Sequence, residues 1–159
     1  MKIPALFLWL TSLTLPGLAL ADNLPTPAGA PPAFRTECGS CHLAFPPGLL
    51  MAADWRRVMA GLEDHYGDNA SLDAKTRQEI EAFLVRHAGP DKKTAEAGNP
   101  PRITATVWFR REHHEVPAGI WRDPQLGSAA NCAGCHQRAA EGRYSEREIV
   151  MPGGKKWED

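Results

Sequence analysis

The chain has few aromatic residues and almost no net charge. Aromatic residues make up 8% of its 159 residues, and its formal charge is −1. A charge this close to zero excludes a polycationic nucleic-acid-binding protein. With 14 glycines and 14 prolines, the chain can form few long helices or strands and has little apolar surface for a large core. We therefore expect something other than the chain to supply part of that core.

Long apolar runs are also missing, apart from one at the N-terminus. Residues 1–22 read MKIPALFLWLTSLTLPGLALAD, in which Lys2 precedes an apolar stretch and ALA forms a small-x-small cleavage site. Pro16 and Gly17 interrupt this stretch, which is short for a transmembrane helix. We predict a secretory signal peptide over residues 1–21 rather than a membrane anchor. The mature protein is then periplasmic and has no transmembrane span.

The four cysteines all lie in two copies of one motif. ECGSCH occupies residues 37–42 and NCAGCH occupies residues 131–136. CxxCH is the attachment signature of c-type haem, because each cysteine forms a thioether with one haem vinyl group and the next histidine ligates the iron. Disulfides, a zinc site or a redox dithiol would also use CxxC, but none explains a histidine after both pairs. The sequence predicts two covalent haems, with His42 and His136 as proximal ligands. Their attachment sites are Cys38, Cys41, Cys132 and Cys135.

The pattern around the first motif predicts helices. A short helix ends in the motif, and a second runs from an Asp54 cap through WRRVMAGLEDHY to Gly67. A third helix is capped by Ser71 or Asp73 and ends at Gly89. Its apolar positions recur at helical spacing, so one face should pack against the helix that carries the motif.

The second half is predicted to be less regular. The segment RITATVWFRREHHEV is helical from Thr106, AANCAGCHQRAAEG forms a second motif-bearing helix, and SERE at 145–148 is a capping box. The predicted organisation has five parts. These are the signal peptide 1–21, a Pro-rich tether 22–33, a first haem domain 34–89, a linker 90–101 and a second haem domain 102–159.

For the first haem, His65 and His87 are the candidate distal ligands. His65 lies in the loop before the third helix, where small cytochromes c place this ligand. His87 lies on a helix face that normally packs against the helix carrying the motif. For either haem, methionine is the alternative ligand type, at Met51, Met59 or Met151, although Met59 belongs to a core stripe. We favour His65.

For the second haem, the candidates are the neighbours His113 and His114. Phe109, His113 and Val116 fall at i, i+4 and i+7 of a helix, which is an apolar line suited to a haem face. The corresponding line through His114 is largely charged, so we favour His113. Four further side chains are candidate hydrogen-bond donors to haem propionates: Trp55, Trp108, Arg110 and Arg111.

These segments resemble the bacterial dihaem cytochrome c family over nearly all of the chain that follows the signal peptide. The resemblance is carried by ECGSCHLAFPPGLL, DWRRVMAGLEDHYGDNASLD with IEAFLVRHAG, PPRITATVWFRREHHEV, and SAANCAGCHQRAAEGRYSEREIVMP. It implies a mainly α fold of two small haem-binding domains: an N-terminal one similar to a small class I cytochrome c and a C-terminal one with little regular structure. It also implies that His42 pairs with His65, and His136 with His113, although the neighbouring His114 leaves the last assignment ambiguous.

The resemblance implies a periplasmic one-electron carrier and not an enzyme. Two histidines on each iron lack the thioether that raises the potential of His/Met cytochromes, so low-potential haems are expected. A membrane-bound b-type cytochrome and a small oxygen-binding c-type cytochrome are the redox partners that the resemblance suggests. The alternative is a haem enzyme or gas-binding protein of peroxidase type, which needs an open distal site. Carbon monoxide binding to the reduced protein distinguishes these hypotheses, because an electron carrier should not bind it and a protein with an open distal site should.

Overall fold

Short helices separated by long irregular segments make up the fold, and a computed structural model describes them for residues 23–157. The predicted signal peptide lies outside these residues. The α-helices of the described residues are α1 (Pro32–Cys38), α2 (Ala52–Ala60), α3 (Ala74–Arg86), α4 (Asp91–Thr94) and α5 (Val107–Glu112). The 3-10 turns are Pro47–Leu49, Leu62–Asp64, Ile103–Ala105, Ile120–Arg122, Cys132–Gly134, Ala139–Glu141 and Glu146–Glu148. Extended pairing in residues 23–157 is limited to isolated β-bridges, which confirms the mainly α fold class.

The apolar core lies in the first half, where α1 and α2 pack against α3. The rings of Phe34 and Phe83 meet at a centroid distance of 5.1 Å. Apart from these two rings, the buried members of the cluster are Leu50, Trp55, Met59, Ile80, Leu84 and Ala97. Burying side chains of this size contributes about 1.5–3 kcal/mol each, so this half has a hydrophobic core built from its own residues.

The helix boundaries partly follow the prediction. Asp73 is the N-cap of α3, and its carboxylate accepts the backbone N–H groups of Lys75 and Thr76, as predicted for one of the two candidate caps. The predicted start and length of α2 are wrong. Asp54 lies inside the first turn, where it binds Arg57, and Gly61 ends the helix. Glycine has a low helix propensity, and here it is followed by a 3-10 turn.

The segment predicted as a polar linker packs on the first half. It contains α4, and its Ala97 is 3% exposed and belongs to the core cluster. The guanidinium of Arg57 donates to the carbonyl of Gly98 at 2.9 Å. The backbone N–H of Arg102 donates to Ala97 O at 2.6 Å. Residues 97–102 therefore form a strap, called the linker strap below, that is fixed by hydrogen bonds and by one buried side chain.

Gly89 allows the end of the α3 segment to approach the loop after the first motif. A Cβ at this position would lie 2.1 Å from Gly48 O and 2.8 Å from Thr94 Cγ2. We expect Gly89→Ala to lower the free energy of unfolding by about 1–3 kcal/mol, the usual cost of overpacking. Gly48→Ala is the matched control, because its Cβ would have no neighbour within 4 Å. Denaturant unfolding of both variants measures the difference, and equal midpoints would contradict this account of Gly89.

The second half contains little regular structure beyond α5, as predicted. Thr106 is the N-cap of α5, and its hydroxyl accepts the N–H of Phe109 at 3.2 Å. The buried apolar side chains of the second half are few: Leu126, Ala139 and Met151. A half with so few buried apolar side chains needs another source of apolar contact.

Two predictions for this half are wrong. The second motif forms only the 3-10 turn Cys132–Gly134 instead of an α-helix. Glycine at position 134 disfavours a helix, and the left-handed Gly142 (φ 75°) ends the next 3-10 turn, Ala139–Glu141. Ser145 stands at the N-cap position of the turn Glu146–Glu148, but its side chain makes no capping hydrogen bond. Local hydrogen-bonding patterns therefore do not determine the backbone here.

The chain before α1 contacts this second half. The N–H of Leu24 donates to Gly142 O at 2.7 Å. A Cβ at Gly142 would lie 2.5 Å from Pro25 Cα, so glycine is needed for this close approach as well as for its left-handed backbone. The start of the predicted tether is thus hydrogen-bonded to the far end of the chain.

Candidate haem sites

The first site brings two histidine rings together with their planes nearly parallel. His42 follows α1, and its Nδ1–H donates to the carbonyl of Leu43 at 2.7 Å, which leaves Nε2 free. Its ring stacks on Phe45 at a centroid distance of 4.8 Å. The ring of His65, at the turn before α3, lies 6.2 Å from that of His42, with 22° between the planes. The structure therefore brings together the predicted proximal and distal residues of the first haem.

The second site repeats this pairing with different elements. His113 is the C-cap of α5; its Nδ1–H donates to Phe109 O at 2.9 Å, and its ring stacks on the Phe109 ring at 4.0 Å. His136 directly follows the turn of the second motif, and its N–H donates to Cys132 O at 2.8 Å. The rings of His113 and His136 lie 6.1 Å apart, with 81° between the planes.

Both ring separations match a metal held between two imidazoles. A nitrogen ligand lies about 2 Å from a bound first-row metal, so two axial imidazoles on one iron have centroids about 6 Å apart. The observed values are 6.2 Å and 6.1 Å. The donor sets therefore fit a haem iron at each site.

A cavity beside the second pair joins its histidines to the second cysteine motif. His113, Cys132, Cys135 and His136 all line it. Leu49 of the first half also lines it, so the two halves meet at this site. The apolar wall includes Phe109, Val116, Ile120, Trp121, Leu126, Ile149, Met151 and Trp157. A mostly apolar cleft with a few polar groups is the usual form of a cofactor site.

Burial favours the neutral form of the paired imidazoles. It lowers the pKa of His136 to about 4, with the nearby His113 as a second cause, and it lowers the pKa of His113. The pKa of His65 is also lowered, mainly by burial and then by His42. The neutral ring is the form that ligates metals. These histidines are therefore ready to bind at neutral pH.

The cysteines do not have the properties of a redox dithiol. Burial raises the pKa of Cys38 to about 11, with Glu37 adding to the effect, and burial raises the pKa of Cys132 to about 11. Redox-active dithiols have lowered pKa values instead. Among residues 23–157, no group of three or more His, Cys, Asp or Glu side chains is arranged to hold a metal ion directly.

Most of the competing candidates for distal ligand lie away from the two histidine pairs or contact other side chains. His87 packs against Phe83 at a ring distance of 5.0 Å, and Met59 is 3% exposed within the core. The His114 side chain is 70% exposed, and its Nε2 lies 3.7 Å from the Glu115 carboxylate. Met151 does line the second cavity.

The predicted propionate donors have other partners in three of four cases. Trp55 Nε1 donates to Pro47 O at 2.7 Å inside the first half. Arg110 binds Glu96, and Arg111 binds Glu112 at 2.6 Å. Trp108 lines the second cavity.

Sequence reasoning did not single out several aromatic side chains of the sites. Phe45 stacks on His42, Trp121 lies 5.9 Å from the ring of His113, and Tyr144 lies 5.3 Å from that of His136. Within residues 23–157, the Tyr144 hydroxyl and the His136 Nδ1 are the buried polar side-chain atoms without a hydrogen-bond partner. Only proximity to a motif could have suggested Phe45, and nothing local pointed to the other two.

Comparison with known proteins decides the family. The sequence profile of the family described as "Dihaem cytochrome c" matches residues 34–144, which include both cysteine motifs and both facing histidine pairs. The chain belongs to the dihaem cytochrome c family. As a dihaem cytochrome c, it carries two covalently attached c-type haems and is an electron-transfer haem protein that works with redox partners.

Solved dihaem cytochromes c share this fold. One from Shewanella baltica OS155 is 39% identical, with a TM-score of 0.70, and the match covers 80% of this chain and 97% of that chain. One from Rhodobacter sphaeroides is 37% identical, with a TM-score of 0.64, and covers 73% of this chain and 98% of its own. A further structure, of DHC purified from Rhodobacter sphaeroides, is 40% identical, with a TM-score of 0.62 and coverages of 72% and 96%. No curated protein matched the sequence. No helix within residues 23–157 has the length and apolar character needed to cross a membrane.

Proposed function

We propose that this dihaem cytochrome c is a low-potential electron carrier in which two histidines ligate each iron. His42 and His65 hold the first haem, and His136 and His113 hold the second. The observation that carries the proposal is the pair of ring separations, 6.2 Å and 6.1 Å, each formed by a CxxCH histidine and one distal histidine.

The surroundings of each pair support ligation through Nε2. The backbone carbonyls of Leu43 and Phe109 accept the Nδ1–H groups of His42 and His113, which fixes the tautomer and the ring orientation. Such a bond to the other ring nitrogen accompanies most metal-binding histidines and raises their basicity. His114 has its ring toward solvent and Glu115, so it is the weaker candidate for the second iron.

Filled axial positions favour electron transfer over catalysis. The haem irons supply one-electron redox chemistry, and the histidines keep each iron closed to substrate. The side chains of Phe109 and Trp121 pack against His113 at the second site. With histidines on both sides of each haem, a peroxide or a gas would reach the iron only by displacing a protein ligand, so we propose no enzymatic activity.

We propose a periplasmic location and the two redox partners named for the family resemblance. The apolar run before the cleavage site at residue 21 supports export. A membrane-bound b-type cytochrome is the proposed donor, and a small oxygen-binding c-type cytochrome is the proposed acceptor. The proposed haem domains comprise residues 34–89 and 102–159.

A redox titration with added ligands tests the carrier function. We expect both haems to be low-spin in both oxidation states, with potentials below the His/Met range because imidazole favours ferric iron more than thioether does. The reduced protein should bind negligible carbon monoxide, and the protein should show negligible peroxide turnover. Rapid carbon monoxide binding by the native protein, or peroxide turnover abolished by replacing His136, would support the enzyme alternative instead.

A further inference from the structure

Tyr66 occupies a backbone conformation that its residue type disfavours. His65 and Asp68 pair across a two-residue turn, with His65 N–H donating to Asp68 O at 2.7 Å and Asp68 N–H donating to His65 O at 3.2 Å. The central residues Tyr66 and Gly67 have φ values of 58° and 103°. A turn with two left-handed residues favours asparagine or glycine at its first position. Tyrosine in this conformation is strained and persists only where its surroundings stabilise it.

Contacts with the linker strap offset that strain. The Tyr66 hydroxyl donates a hydrogen bond to the carbonyl of Pro101, and the guanidinium of Arg102 lies 4.4 Å from the centroid of the tyrosine ring. A tyrosine hydroxyl is protonated at neutral pH and can donate this hydrogen bond. Tyr66 is 39% exposed, so burial alone does not explain its position.

His65 needs an orienting contact that its own backbone does not provide. His42 and His113 are each oriented by an Nδ1–H bond to a nearby carbonyl. In the described part of the chain, the His65 ring makes no such bond, and its ring contacts are His42 and Tyr66. The Tyr66 ring meets it edge-on at 4.8 Å, with 67° between the planes. Tyr66 therefore connects the His65 ring to the linker strap.

We propose that Tyr66, the Pro101 carbonyl and Arg102 form a latch that positions His65 on the first iron. Tyr66 is a positioning residue, since it acts through His65. The proposal rests on the assignment of His65 as the distal ligand. The linker strap is held in place by Arg57, whose guanidinium donates to the Gly98 carbonyl and also binds the buried Asp54 carboxylate. Loss of the latch raises the fraction of molecules in which His65 has left the iron, and apparent affinity for an added ligand rises with that fraction.

The test measures carbon monoxide binding by the reduced protein carrying both haems. His65→Ala provides the reference spectrum of an opened first haem. Tyr66→Phe keeps the ring but removes the hydroxyl, and we expect its first haem to bind carbon monoxide roughly fivefold to tenfold more tightly than the native one, the effect of one lost hydrogen bond. Tyr144→Phe changes the only other tyrosine, which contacts His136, so it should leave the first haem unchanged.

Tyr66→Asn separates positioning from a local role in the turn. Asparagine suits the left-handed turn better than tyrosine but cannot reach the strap, so we expect a turn that folds well and a first haem that binds carbon monoxide at least as tightly as in Tyr66→Phe. Native-like carbon monoxide affinity in both Tyr66 variants would overturn the latch. If His65→Ala itself stays low-spin and unreactive, the ligand assignment is wrong, and the latch is overturned with it. Faster amide exchange at His65 and Asp68 in Tyr66→Phe would support the latch independently of ligand binding.

Discussion

Replacing His113 with alanine should open the second haem to carbon monoxide, whereas replacing His114 should leave it closed. His113 faces His136 at 6.1 Å and is held by Phe109, while the His114 side chain is 70% exposed. Removing the His113 ring leaves the second iron without its distal protein ligand, and carbon monoxide can then bind in the position of that ring. The His113→Ala variant should therefore gain a high-spin component and bind carbon monoxide at one of its two haems. We expect a change from negligible to complete occupancy under saturating gas.

Optical spectra of the reduced variants, with and without carbon monoxide, measure this difference. His114→Ala is the matched control, because it removes the same side chain one residue away and should keep both haems low-spin. An opened haem in His114→Ala, with a closed one in His113→Ala, would mean that the end of α5 turns the other way. If both variants stay closed, Met151 becomes the next candidate, since it lines the same cavity.

The helical line through Phe109 and His113 shows what sequence alone can predict. The i, i+4 spacing predicted that Phe109 and His113 lie on one side of the helix, and in the structure their rings stack at 4.0 Å. Asp73 was one of two predicted caps for the same reason, because the atoms that it binds are two and three residues away. Patterns of this kind depend on neighbours within one turn of helix.

Contacts between distant segments could not be predicted in this way. Tyr66 contacts Pro101, which is 35 residues away in sequence, and the neighbouring Arg102. Leu24, near the start of the described residues, is hydrogen-bonded to Gly142 in the second half. The second motif was wrongly predicted to be helical, because its backbone depends on what surrounds it more than on its own propensities. The position of Leu49 at the second cavity is a further case, since nothing near it in sequence belongs to the second half.

The second half should lose its fold when its haem is removed, whereas the first half should not. Between residues 102 and 157, few apolar side chains are buried, and many aromatic and aliphatic ones line the cavity instead. The core cluster is built from residues between Phe34 and Ala97. A bound ligand present at 100 times its dissociation constant adds about 2.7 kcal/mol of stability, and a covalently attached haem is held at its cavity at a high effective concentration. Removing it should leave residues 102–157 largely unfolded.

The variant Cys132→Ala/Cys135→Ala, purified with one haem as verified by mass, tests this expectation. We expect trypsin to cleave the second half at least about a hundredfold faster than in the native protein, because cleavage follows the population of the open state. The trypsin cleavage sites of that half include Arg122 and Arg138. Mass spectrometry identifies the cut positions, and the fragment that contains α1 to α3 should persist. The counterpart Cys38→Ala/Cys41→Ala removes the first haem from a half that has its own core, so its cleavage should rise far less. Equal resistance of the second half with and without its haem would contradict the idea that this haem serves as its core.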